Sequence, residues 1–148
     1  IRSAPPSAAP AAAPEPPSDT HEIELPNCRI KTEPYFLGEG FDRMEFRIVS
    51  VVGSLDANTF PEFDRVIAEI IAKGLYRFVV DFKDLEYISS AGLGVLIDKT
   101  KQCRENKGDL RLANVPVKIK HVLDILGYTS MIRQYNAVKG AVLSFQYL

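Results

Sequence analysis

The residues best placed to do chemistry are Ser89 and Ser90, inside the stretch Arg77 to Leu96, RFVVDFKDLEYISSAGLGVL. A serine hydroxyl in this setting has two physical uses. At the N-cap of a helix it accepts a hydrogen bond from an otherwise unpaired amide of the first turn, worth about 1 kcal/mol over alanine. As a phosphoacceptor it sets a dianion against the positive end of the helix dipole and its free amides. Both uses require a junction where a strand hands over to a helix, and the flanking residues predict one. Phe78, Val79 and Val80 form an apolar run without polar alternation, as in a strand buried on both faces of a sheet. Leu93, Leu96 and Ile97 then recur at helical spacing, with Ser90 as the expected cap.

Other chemistries fail on their own patterns. Gly92-Leu93-Gly94 begins a dinucleotide fingerprint, but position 97, where the third glycine belongs, is Ile97. Ser90 is outside any Gly-x-Ser-x-Gly turn, and the only histidines are His21 and His121, the latter expected on a solvated helix face. Asp81, Asp84 and Glu86 are expected to gather near Asp56. They are read as a solvated acidic rim, because magnesium usually draws on substrate phosphates as well. Cys28 and Cys103 form no Cys-x-x-Cys pair, so neither zinc nor a disulfide framework is indicated. A reduced, cytoplasmic protein is the simplest reading. The net charge of −1 gives no basic field to gather nucleic acid or anionic lipid. No apolar run reaches the roughly 20 residues that span a bilayer. The expectation is therefore a non-enzyme with no cofactor, no metal, no membrane segment and no nucleic-acid partner.

The elements that must position Ser89 and Ser90 follow from the rest of the 148 residues, which suffice for one domain. Residues 1–20 are mainly alanine, proline and serine, and read as a disordered linker, with Pro14 and Pro17 in Pro-x-x-Pro spacing. The start at Ile1 rather than methionine suits either a piece of a longer chain or added residues at the start. Residues 21–148 are the expected domain. Glu22 to Leu37, with apolar positions at Ile23, Leu25, Ile30, Tyr35 and Phe36 and broken by Pro26 and Pro34, suits an edge strand. After a turn at Gly38-Glu39-Gly40, Met44 to Val52 forms a second strand ending at Gly53, and the two pair as a hairpin.

Thr59-Phe60-Pro61-Glu62 fits a capping box, and Phe60, Phe63, Val66, Ile67, Ile70 and Ile71 continue as an amphipathic helix stopped by Gly74. Strand, helix, strand in this order implies a right-handed crossover and a parallel pair. The helix after Ser90 ends near Lys107-Gly108, and Leu110, Leu112 and Val115 make a fourth strand. Pro116 opens a third helix with Ile119, Val122, Leu123 and Leu126 facing inward. Met131, Ile132 and Tyr135 suit a short extra strand, and 141–148 a last helical turn or two. The order β-β-α-β-α-β-α predicts an α/β fold, a mixed β-sheet with helices packed mainly on one face.

DLEYISSAGLGVLIDKTKQCRENKGDLRLANVPVKIKHVLDILGYTSMI resembles the core of the STAS family, the bacterial anti-sigma factor antagonists, over roughly Cys28 to Leu148. Members carry a strand, an (Asp)-Ser-(Ser/Ala)-Gly-Leu-Gly-Val turn, a helix, a short strand and a proline-started helix. The resemblance implies that Ser90 is the phosphorylated serine, that Gly92, Leu93 and Gly94 form the turn after it, and that Asp56 is the acidic residue nearby. Ser89, Ser90, Ala91, Gly92, Leu93, Gly94 and Asp56 thereby become the implied partner-binding surface. Two positions depart from the pattern: Ser89 stands where the family often has Asp, and Ala91 where it has a second serine. Gly92 is expected to tolerate no side chain because a partner approaches its backbone. The implied function is partner switching in sigma-factor-dependent transcription. The implied partners are an anti-sigma factor that is also a serine kinase of the histidine-kinase-like ATPase type, and a PP2C-type phosphatase. The alternative is a STAS scaffold or sensor module, in another signalling or lipid-transport assembly, with no phosphorylation.

Overall fold

A computed structural model describes residues 20–147; the predicted linker, but for its last residue, lies outside them. Among the described residues seven strands form one mixed sheet. Strands β1 (His21–Leu25), β2 (Cys28–Leu37) and β3 (Met44–Leu55) are antiparallel neighbours. Beyond β3 come β4 (Arg77–Asp81), β6 (Asp109–Ala113) and β7 (Gln134–Tyr135), all parallel, while β5 (Leu85–Ile88) also pairs with β3. The helices are α1 (Phe60–Ala72), α2 (Ser90–Glu105), α3 (Val117–Ile125) and α4 (Val138–Leu143), the last running into a 3-10 turn, Ser144–Tyr147.

The expected edge strand is thus two strands folded over Pro26 and Asn27, because Pro26 cannot donate to a ladder. Pro34 lies past the last β1 pair, His21 with Thr32, where that side of β2 is an open edge. The expected central strand is present: Phe78, Val79 and Val80 of β4 are all fully buried between neighbours on both sides.

Helices α1 to α3 supply Phe63, Val66, Ile67, Leu93, Leu96, Ile119 and Leu123 to one face of the sheet, against Val49, Val51, Val80, Leu110 and Leu112. On the other face α4 and the turn after it cover Phe46, Ile48, Val79 and Ala113 with Ala141, Val142 and Phe145. There Phe145 meets Phe46 edge-on at 4.9 Å between ring centroids. This matches a mixed sheet with helices mainly on one side.

Three local expectations change. Thr59 stands at the N-cap of α1 but makes no cap bond. Its hydroxyl instead donates to the Ser54 carbonyl at 2.7 Å and accepts the Asp56 amide at 2.9 Å, closing the loop after β3. Leu126 is exposed, because α3 ends one residue before it. The last strand is only Gln134–Tyr135; Met131 and Ile132 precede it, with Ile132 in the core.

Candidate functional site

The carboxyl ends of β3 and β5 and the start of α2 come together at one end of the sheet, the usual place for sites in open α/β sheets. A shift of register between Gly53 and Ser54 lets the end of β3 leave β4 and pair with β5. Gly53 is required there: its φ is +99°, and a Cβ would lie 2.3 Å from the Asn27 carbonyl oxygen. Leu55 then pairs with Ile88, and its carbonyl accepts the Ser89 amide at 2.8 Å. Asp56 follows directly, which places its backbone beside the Ser89–Ser90 turn.

The cap of α2 is Ser89, not the expected Ser90. Ser89 has extended backbone, and its Oγ accepts the Gly92 amide at 3.1 Å. The physical reason is register: the last residue before helical backbone is the one whose side chain can reach back to the N3 amide. Serine fills at 89 the acceptor role that aspartate can fill equally well. Ser90 is the first helical residue, exposed, and its hydroxyl makes no hydrogen bond to a described residue. Of the first-turn amides, Gly92 is held by Ser89 Oγ and Leu93 by the Ser89 carbonyl at 3.0 Å. Those of Ser90 and Ala91 are left without a partner among the described residues.

The remaining predicted site residues divide by burial. Ala91 and Gly94 are exposed with Ser90, Asp56 and Ser89 are half-buried, and Gly92 and Leu93 are buried. Leu93 is a core residue at 0% exposure, so it supports the surface from beneath and is not a contact on it. Gly92 is required by the fold itself: a Cβ there would stand 3.1 Å from Ile88 Cγ1 and 3.2 Å from the Leu55 carbonyl oxygen. The expected reason, a partner at its backbone, is therefore replaced by packing of α2 on β3 and β5. Around Gly94 there is open space, so nothing among the described residues explains a glycine in this helix, where alanine would be about 1 kcal/mol better.

Asp56 Oδ1 accepts the Asn58 amide at 2.9 Å, and its charge, after burial, helps raise the Cys28 thiol pKa. Asp81 is engaged by the Lys83 amide and by Asn114 Nδ2. Among the described residues no group of three or more Asp, Glu, His or Cys side chains could hold a metal. No described helix is long and apolar enough to cross a membrane.

Exposed Tyr87 on β5, 53% accessible, adds an aromatic ring three residues before Ser90 that the sequence reading passed over. Its signal was weak, since Leu85, Tyr87 and Ile88 read together as one apolar group. Two buried charge clusters were also missed. Lys99 of α2, 6% exposed, reaches Asp64 of α1 at 2.7 Å. Arg111, fully buried on β6, meets Asp109 at 2.9 Å and stacks its guanidinium 4.0 Å from the Phe145 ring centroid.

Comparison with known proteins bears on this geometry. A family model for the STAS domain matches residues 40–141. The protein BtrV of Bordetella bronchiseptica is 30% identical over 99 residues, covering 67% of this chain and 85% of that one. The anti-sigma-B factor antagonist of Staphylococcus epidermidis is 30% identical over 83 residues, covering 56% of this chain and 77% of its own length. Among solved structures, the Bacillus cell fate determinant SpoIIAA in its phosphorylated form shares the fold with a TM-score of 0.55 at 18% identity, covering 74% of this chain and 98% of that one.

Proposed function

The chain belongs to the STAS domain family, and from that premise we propose that it is an anti-sigma factor antagonist switched by phosphorylation of Ser90. One observation carries this: capping falls to Ser89, which leaves the Ser90 hydroxyl exposed and unbonded at the first position of α2. A kinase can then reach the acceptor without breaking the helix. The names of the Staphylococcus relatives and the phosphorylated form of SpoIIAA support the same reading.

The partner of the unmodified protein is an anti-sigma factor that is also a histidine-kinase-like serine kinase, and a PP2C-type phosphatase resets the switch. The contact surface comprises Ser90, Ala91 and Gly94, with Ser89 and Asp56 at its edge. Phosphate adds a charge of about −1.5 to −2 beside Asp56, and the resulting repulsion and desolvation cost release the partner. ATP is bound by the kinase; this chain performs no catalysis and works in the cytoplasm.

The test is site mapping by mass spectrometry on protein isolated from its host, followed by titration calorimetry against the kinase that copurifies. A single phosphate on Ser90 is expected. Ser90→Asp is expected to bind about 5- to 150-fold more weakly than Ser90→Ala, a coupling of about 1–3 kcal/mol. Phosphate on another residue, or equal affinity of the two variants, would overturn the proposal.

A further inference from the structure

One face of α2 carries the Ser90 surface on down the molecule. Ser90, Gly94, Ile97, Lys101 and Arg104 recur at intervals of four and three residues, so they form a single row along the helix. At 1.5 Å per residue the row is about 21 Å long. Its last three members also line a cleft of about 250 Å³, together with Thr100 beneath and Ser130 and Met131 opposite. The Ser90 surface and the cleft are therefore continuous.

The chemistry of this trough says what fits it. At Gly94 a side chain would meet nothing within 4 Å, so the helix surface is lowest there and another backbone can come close. Ile97 and Met131 are half-buried against the core and leave part of each apolar side chain in the cleft. Lys101 and Arg104 line the cleft and no carboxylate does. Arg104 donates to Asp109 through Nε, but Lys101 pairs with no acid among the described residues. Ser130 also lines an adjoining cleft, where Lys120 and Arg133 likewise lack an acid partner and the carboxylate of the lining, Asp124, accepts from the Thr129 hydroxyl. Asp98 and Glu105 of α2 line neither cleft, and Asp98 is held by Gln102 Nε2 at 2.8 Å. On a chain of net charge −1, the trough is thus locally cationic and partly apolar.

Given the Ser90 switch read above, we propose that the partner of the unmodified protein lays an acidic amphipathic helix along α2. Its small and apolar residues rest on Ser90, Gly94 and Ile97, and its carboxylates meet Lys101, with Lys120 and Arg133 beyond Ser130. A helix in a groove is read through anchors at intervals of three and four residues, the spacing of this row. A phosphate on Ser90 would face that acidic helix, which supplies the repulsion that releases it.

Titration calorimetry against the copurifying kinase tests this, with thermal melts of each variant alongside. Gly94→Leu places its side chain in open space, so its Tm should not fall, yet the partner helix would clash with it and affinity should drop at least about tenfold. Lys101→Glu, at an exposed and unpaired position, should also bind about tenfold more weakly. Lys107→Glu makes the same charge change just past the end of α2 but outside both clefts, and should stay within about twofold of the parent. Parental affinity in either Gly94→Leu or Lys101→Glu, or an equal loss in Lys107→Glu, overturns the docked helix. If Ser90→Asp then still binds more weakly than Ser90→Ala, the switch stands without it. Equal affinity of the two Ser90 variants, or a parent chain from which no kinase copurifies, removes the switch and the docked helix together.

Discussion

Replacing Ser89 and Ser90 by alanine, one at a time, separates the residue that holds the helix from the residue available for modification. Ser89→Ala removes the acceptor of the Gly92 amide, a bond of 3.1 Å in a half-buried turn. N-cap serine to alanine costs about 0.5–2 kcal/mol, and a partly buried amide left unpaired puts this case near 1–1.5 kcal/mol. For a domain of this size that loss lowers Tm by about 3–6 °C. Ser90→Ala removes an exposed hydroxyl with no partner among the described residues, so its effect is within about 0.5 kcal/mol of zero. Thermal melts and urea titrations of the two variants beside the parent measure the difference. An equal loss in both, or a larger one for Ser90→Ala, would mean that Ser90 caps α2 and is not free for a kinase, and the proposed switch would lose its structural basis.

Gly92→Ala should lose about 1–3 kcal/mol, since its Cβ presses on Ile88 and the Leu55 carbonyl, whereas Gly94→Ala should gain up to about 1 kcal/mol in open space; a urea midpoint that rises for Gly92→Ala, or falls for Gly94→Ala, would contradict the respective expectation. Asp109→Asn leaves Arg111 fully buried without its carboxylate, and chemical denaturation should show a loss of about 3–5 kcal/mol. Burial, assisted by Asp109, pushes the Cys103 thiol up to about 12. As pH rises above about 9 the unfolded chain releases a proton that the folded chain keeps until about 12, so stability falls across that window. Urea midpoints at about pH 8 and about pH 10.5 should fall more for the parent than for Cys103→Ala, and parallel declines would exclude this thiol as the cause.

Much of the fold was legible because its signals are local and repeated. Phe78, Val79 and Val80 marked the central strand by lacking alternation, and the spacing of Phe63, Val66, Ile67 and Ile70 marked α1. What escaped reading depends on tertiary context. Asp109 and Arg111 look like the polar positions of an alternating strand, yet Ser144 and Phe145 of the turn after α4 meet Arg111, and Asp109 pairs with Arg111 and with Arg104 of α2. Lys99 interrupts the apolar stripe of α2 and is nonetheless buried, because Asp64 on another helix meets it. At the site, both serines were visible but not their division of labour. Helix onset sets which of two adjacent hydroxyls reaches back to the third amide, and a shift of one residue exchanges cap and acceptor.

That division also determines how a phosphate would act. A modified Ser90 stands at the start of α2 beside its own amide and that of Ala91, the two first-turn donors left open by the Ser89 cap. Negative charge at this position gains about 0.3–1 kcal/mol from the helix terminus, so phosphorylation should strengthen α2 and not melt it. Release of a partner must then come from the altered surface, through the added charge next to Asp56, and the loss of affinity should fade as salt screens the exposed part of that repulsion. Ser90→Asp carries half of this charge in the same place. Its Tm is expected to equal or exceed that of Ser90→Ala, while its affinity for the partner is lower and recovers partly between about 50 mM and 500 mM salt. A variant that binds weakly because it melts early would place the switch in helix unfolding instead, and would remove the electrostatic account.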